Sequence, residues 1–436
     1  MDFTTSRAFQ QKAHRLIPGG AHTYAKGDDQ YPVMAPGFIE SGKGCHVWDV
    51  DGNEFIEYGM GLRAVTLGHG YEPVCAAATQ EMWRGINFTR PAAIELRCAE
   101  ALLSLVPGAQ MVKFTKDGST ATTAAVKLAR AYTGRDMVAI CGDHPFFSYN
   151  DWFIGGATPI QAGIPSSASD LTCKFRFNDL ESLAALFEQH SGRIACVMME
   201  AARNDEPGPN YLQQVVDLCH ANNAIFILDE MITGFRWHNG GAQAYYNITP
   251  DLSTFGKALG NGFAISALVG KAEIMNLGGI YHDRERVFLL STTHGAEGHA
   301  LAAALATMQV YVEEPVIAHL EQQGRRLLQA LEQVIEAHKL QGYVGLLGKP
   351  QNLVYFTRNE AKQDSQPFRT LLMQELIKRG VLAPSLVVSY THGDDEIDRT
   401  VAAFDGALGV YRKAIDHGVD QFLIGRPVKP VYRKFN

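Results

Sequence analysis

The chain has 436 residues, enough for one large domain and one smaller one with well-buried cores. Apolar residues make up 46% and charged residues 19%, and the net charge of -7 argues against a general nucleic-acid binder, because phosphate affinity needs a basic surface. No apolar run approaches the roughly 18 residues a membrane span needs, and the start MDFTTSRAFQQKAHR lacks an apolar signal core, so a cytoplasmic protein is expected.

The first 60 or so residues carry PGF, SGKG and DVDGNEF turn signals between short strands, which predicts an arm with a small hairpin packing on the C-terminal domain or on a partner subunit. Residues 121–132 place Ala121, Ala125, Leu128 and Tyr132 on one helical face, with Gly134 as a stop. Strands follow at 137–140 and 194–199. A helix at 211–222 turns Leu212, Val215, Val216 and Cys219 inward, and a buried strand covers 224–228. Strand, helix and strand in this order predict βαβ units and a mostly parallel sheet. From about residue 300 the pattern changes to long helices (300–313 and 315–338). A strand near 352–357 and helices near 367–379 and 395–414 follow, as expected of a smaller α+β domain. The boundaries read as 1–65 for the arm and part of the small domain, 66–310 for the large domain and 311–436 for the small one. Seven scattered cysteines without a CxxC pair read as buried free thiols, and no metal-ligand spacing is present.

Three features carry chemistry. The buried run AIFILDE (224–230) ends in Asp229, at the strand end where parallel sheets bind ligands. A carboxylate there is costly without a cationic partner. Twenty-eight residues later STFGKALGNG sets Lys257 among glycines, which let a flat ligand approach closely. Upstream, FTKDGST runs from a strand-like start through Gly118 and Ser119 into the helix, where free N–H groups and hydroxyls suit an anion. DGST alone reads as a cap, an acid at a strand end as a turn former and a single lysine as a surface group. Together they supply a phosphate cup, an acid for a heterocyclic nitrogen and an amine for an aldehyde, the three contacts of pyridoxal 5'-phosphate (PLP). No G-x-G-x-x-G follows a strand and no G-x-x-x-x-G-K-[ST] occurs, which leaves the dinucleotide alternative without support.

With those residues in view, the chain resembles the class III, fold type I PLP aminotransferases, in the branch that includes glutamate-1-semialdehyde aminomutase. The likeness runs through LIPGGAHTY (16–24), VWDVDGNEFIEYGMGLRAVTLGHG (47–70), DGSTA (117–121), LDEMITGFR (228–236), PDLSTFGKALGNGF (250–263), STTHGAEGHALAAA (291–304) and VLAPSLVVSYTHGDDEIDRT (381–400). It implies an α/β fold with a mostly parallel sheet and a smaller α+β domain. It implies Lys257 as the Schiff-base lysine and proton carrier, Asp229 on the pyridine nitrogen, and Gly118 and Ser119 on the phosphate. Thr293 would reach the phosphate of the neighbouring subunit in a homodimer with shared sites, and Met231 or Ile232 would lie under the ring. Phe146 is expected against the ring face, with His144 as the alternative, and Glu206 near the ring hydroxyl. The tail GRPVKPVYRKFN resembles members found in surface-carbohydrate biosynthesis.

The chain departs from the aminomutase where the substrate would sit. After PGG it has His22, Thr23 and Lys26 in place of a serine and an arginine. After DVDG it has Leu62, Arg63 and Ala64 where the relative has a tryptophan, and the acid after APS is missing. Both Lys257 and Asp229 are present, so a non-catalytic role is disfavoured. The sequence therefore predicts transfer of an amino group, with glutamate as default donor, to a keto or aldehyde group of a sugar-like or other small acceptor. The alternative is an intramolecular aminomutase of the glutamate-1-semialdehyde type.

Overall fold

The computed structural model describes residues 1–144 and 146–436. The strands are, in chain order, β1 (Ile39–Lys43), β2 (His46–Asp49), β3 (Glu54–Glu57), β4 (Met111–Thr115), β5 (Met137–Cys141), β6 (Thr172–Phe175), β7 (Ile194–Met199), β8 (Ile225–Asp229), β9 (Leu252–Phe255), β10 (Ser266–Gly270), β11 (Val344–Leu347), β12 (Val354–Thr357) and β13 (Val381–Leu382). The chain divides into two compact units, Met1–Tyr71 with Ala318–Val431 and Glu72–Ile317 with Tyr432–Asn436. One border thus falls inside the helix Val316–Ala337, and residues 432–436 group with the central unit, although the sequence reading left them with the small domain.

The central unit holds a seven-stranded sheet in the order β4-β10-β9-β8-β7-β5-β6. β6, β5, β7, β8 and β9 run parallel, and β10 is antiparallel to both β9 and β4. Alternation within each strand splits its apolar side chains between two cores. Met137, Ala139 and Cys141 of β5 pack with Leu212, Val215, Val216 and Cys219 of the helix Tyr211–Ala221. Val138 and Ile140 pack on the other face with Ala125 and Leu128 of the helix Gly118–Thr133. Because both faces are covered, the strands read as continuous apolar runs rather than alternating ones. Gly134, at φ 67°, ends the second helix in the left-handed region that glycine occupies without strain.

In the other unit, β1, β2, β3 and β13 form a four-stranded sheet, with β3 parallel to β13 through Ile56 and Val381. The DVDG turn is held by Asp49, whose Oδ1 accepts from the N–H groups of Asp51 and Asn53 at 3.0 and 2.8 Å. The expected hairpin is therefore real and is completed by a strand from the C-terminal part of the chain. β11 and β12 pair separately, and the helices Gln366–Ile377 and Asp394–His417 belong to the same unit. No helix among the described residues is long and apolar enough to cross a membrane.

Candidate active site

β8 and β9 are parallel neighbours, with Asp229 opposite Thr254 in register. Asp229 ends β8, and Lys257 lies three positions beyond the Thr254 that faces it, so topology alone brings the acid and the amine to the carboxyl edge of the sheet. Asp229 is 1% exposed. Its Oδ1 accepts from the Met231 N–H at 3.0 Å and from the Thr254 hydroxyl at 2.9 Å. Burial pushes the carboxyl up to about 6, while the Lys257 charge and the two hydrogen bonds pull it back down. Lys257 is partly buried and sits at φ 44°, a left-handed backbone that a non-glycine residue adopts at a cost.

The helix Gly118–Thr133 begins beside this edge. Asp117 caps it, accepting from the Thr120 N–H at 2.8 Å and the Thr120 hydroxyl at 3.0 Å. Ser119 is buried, and its Oγ accepts from the Tyr149 N–H at 3.1 Å. Met231 is buried between two glycine turns: a Cβ on Gly118 would lie 2.8 Å from its Sδ, and a Cβ on Gly256 would lie 2.6 Å from it. The cup, the turn after β8 and the turn before Lys257 therefore pack closely around the Met231 thioether, an approach that glycine permits at both positions.

His144, at the end of β5, is 4% exposed, and its Nδ1 accepts from the Glu200 N–H at 3.0 Å. Burial, with Arg203 nearby, lowers its pKa to about 4, so the ring is neutral at neutral pH. Phe146, the first expectation for the ring face, is instead 42% exposed and packs against Phe153 and Tyr432 at centroid distances of 5.8 and 6.5 Å. Glu206 accepts from the Tyr246 hydroxyl at 2.6 Å. Ile232 gives its carbonyl to Arg236 Nε at 3.1 Å. Thr293 is exposed and offers its carbonyl to the Asn87 side chain at 2.9 Å. In the other unit Arg63 donates from Nε to Asn352 Oδ1 at 2.8 Å, and His22 and Lys26 are exposed.

Spacing in the sequence did not signal the approach of Cys45, His46 and Glu396, whose ligand atoms lie within 4.8 Å of one another. Burial pushes the Cys45 thiol up to about 12, and it donates to the Thr391 carbonyl, which makes it a poor ligand as it stands.

The family of class III aminotransferases matches residues 24–144 and 149–405. The chain belongs to that family. It is a PLP-dependent transaminase by this membership, and the residues at the sheet edge fit the cofactor: a buried acid, a nearby amine, a capped helix N-terminus and two glycines in close contact with Met231. The class III relatives include glutamate-1-semialdehyde 2,1-aminomutase of Desulforamulus reducens, 31% identical across 94% of this chain and 98% of the relative. Among solved structures, the FumI protein of Sphingopyxis sp. MTA144 is 26% identical with a TM-score of 0.84 over 95% of this chain and 98% of that one. An omega-transaminase of Sphaerobacter thermophilus is 25% identical with a TM-score of 0.83 over 93% and 98% of the two chains. These likenesses establish the fold type I architecture that the sequence predicted.

Proposed function

We propose that the protein moves an amino group on a small carbonyl compound through PLP linked to Lys257, and that the transfer is intramolecular, of the glutamate-1-semialdehyde type. The observation that carries the chemistry is the meeting of Asp229 and Lys257 at the ends of adjacent parallel strands. Bound PLP supplies an electron sink for charge developing at the substrate carbon. The chain's own residues do the rest. Asp229 keeps the ring nitrogen protonated, since a buried anion favours a neighbouring cation. Lys257 would hold the cofactor through its amine and would carry a proton to and from the substrate carbon. Gly118 and Ser119 hold the phosphate at the helix N-terminus. We assign the ring face to His144 rather than Phe146, because His144 is the buried, neutral ring at the end of β5.

The intramolecular reading is favoured by full-length relatives named as glutamate-1-semialdehyde aminomutases, and these weigh against the sugar-like acceptor that the sequence first suggested. One observation favours that second reading: the segment 18–29 offers only Lys26 as a cation where the aminomutase has an arginine. A single assay separates them. Enzyme loaded with pyridoxamine phosphate and given glutamate-1-semialdehyde should form 5-aminolevulinate with no added amino donor. Turnover only with an added donor and a different carbonyl acceptor would overturn the intramolecular reading.

We further propose a homodimer that completes each site through the Thr293 segment. Residues 86–88 are tied to it by the Gly298 N–H on the Ile86 carbonyl and by Asn87 on Thr293, both at 2.9 Å. Trp83 beside it is 88% exposed, which a partner surface would cover.

A further inference from the structure

β5, β6 and β7 end side by side, with Cys141 opposite Phe175 and Ile140 opposite Met198. The segments leaving them line an open polar cavity of about 370 Å³ formed by Asp143, His144, Phe177, Asn178, Arg203 and Asn204, with Asp205 also at its wall. It lies beyond the carboxyl ends of parallel strands, where open sheets of this kind take their ligands.

Most polar groups around it already have partners. Asp143 Oδ2 accepts from the Phe177 N–H at 2.7 Å. Asn178 accepts from the Gly208 N–H at 2.8 Å and donates to the Glu206 carbonyl at 2.9 Å. His144 is held by the Glu200 N–H. Arg203 differs. It is only partly exposed, and among the described residues its guanidinium makes no hydrogen bond or ion pair. Burial opposes its charge, and the Glu200 carboxylate partly offsets that. A guanidinium carries five donors in a fixed fork, and withdrawing it from water without a partner is costly. Such a fork matches a carboxylate in two parallel hydrogen bonds.

We propose that Arg203 receives a carboxylate of the enzyme's small-molecule substrate. Asp143 and Asp205 on the same wall restrict the cavity to one anionic group and favour hydroxyl or ammonium groups on the remainder of the ligand. The assignment rests on the reading of the sheet edge as a PLP site, and it supplies the guanidinium that the segment 18–29 lacks.

5-Hydroxypentanoate is a suitable probe because it has one carboxylate and one hydroxyl but no amine, aldehyde or ketone to react. Calorimetric titration of the holoenzyme should show binding of 5-hydroxypentanoate and none of pentane-1,5-diol. Arg203→Gln should weaken it by about tenfold or more at unchanged PLP absorbance. Arg203→Lys, which keeps the charge but not the fork, should recover part of the loss. Equal affinity in wild type and either Arg203 variant, or no binding to wild type, would overturn the proposal. The semialdehyde assay on wild type fails or succeeds separately, so a wrong reaction and a wrong carboxylate site are told apart.

Discussion

Asp229 is held in a position its charge does not favour. Its folded pKa of about 6 exceeds the ordinary 3.8, chiefly through burial, so the folded apo chain keeps this proton longer than the unfolded chain does. The sign follows directly: the residue costs apo stability as pH rises through 3.8 to 6, and the full cost persists above. Asp229→Asn keeps an acceptor for the Met231 N–H and the Thr254 hydroxyl but removes the charge. At pH 8 the apo variant should be more stable than wild type, by on the order of 1–3 kcal/mol, with the difference shrinking toward pH 4. The same variant loaded with PLP should lose on the order of 10²–10³-fold in turnover. Urea midpoints at the two pH values check the first part. A wild type more stable than the variant at pH 8 would show that the acid is structural rather than poised for a cationic ligand.

The elements around that residue explain how small its tolerance is. The helix Gly118–Thr133 starts where the Gly118 Cα faces Met231, and an added Cβ would meet the thioether at 2.8 Å. Gly118→Ala should weaken PLP binding by about 1 kcal/mol or more, and shortening the obstructing side chain in Gly118→Ala/Met231→Ala should restore part of it. Cofactor titration of the two variants is the check; unaltered affinity in the single variant would mean the cup is looser than its contacts imply. This helix was legible in the sequence because a cap, an apolar face and a glycine stop all agree. β5, β7 and β8 were legible as short apolar runs. β9 and β10 were not, because LSTF and SALVG bury Ser253, Thr254 and Ser266 at 3% exposure or less, and buried hydroxyls break an apolar pattern. Ser253 and Thr254 are satisfied by Gln243 and Asp229, partners no local window contains. The same limit applies to the site. Asp229 and Lys257 could be read because each sits in a motif, whereas the choice between His144 and Phe146 depends on which way a turn points its rings. Arg203 left one faint signal, a charged residue four positions beyond the buried run Ile194–Met199.

At the scale of the whole molecule, exposed aromatic surface argues for assembly. Trp83, Tyr281 and Phe288 are 88%, 96% and 65% exposed, a cost that a second copy of the chain would remove. Sedimentation should show a dimer. Trp83→Glu with Tyr281→Glu should yield monomers that lose activity, whereas a fully active monomer would remove the shared-site proposal. The account as a whole stands on Lys257 as the residue joined to the cofactor. Borohydride reduction of the holoenzyme followed by peptide mass mapping tests this most directly. The phosphopyridoxyl group is predicted on Lys257, in the peptide containing FGKALGNG, and labelling should be lost in Lys257→Ala. Stoichiometric label on any other lysine of the wild-type chain would contradict the account.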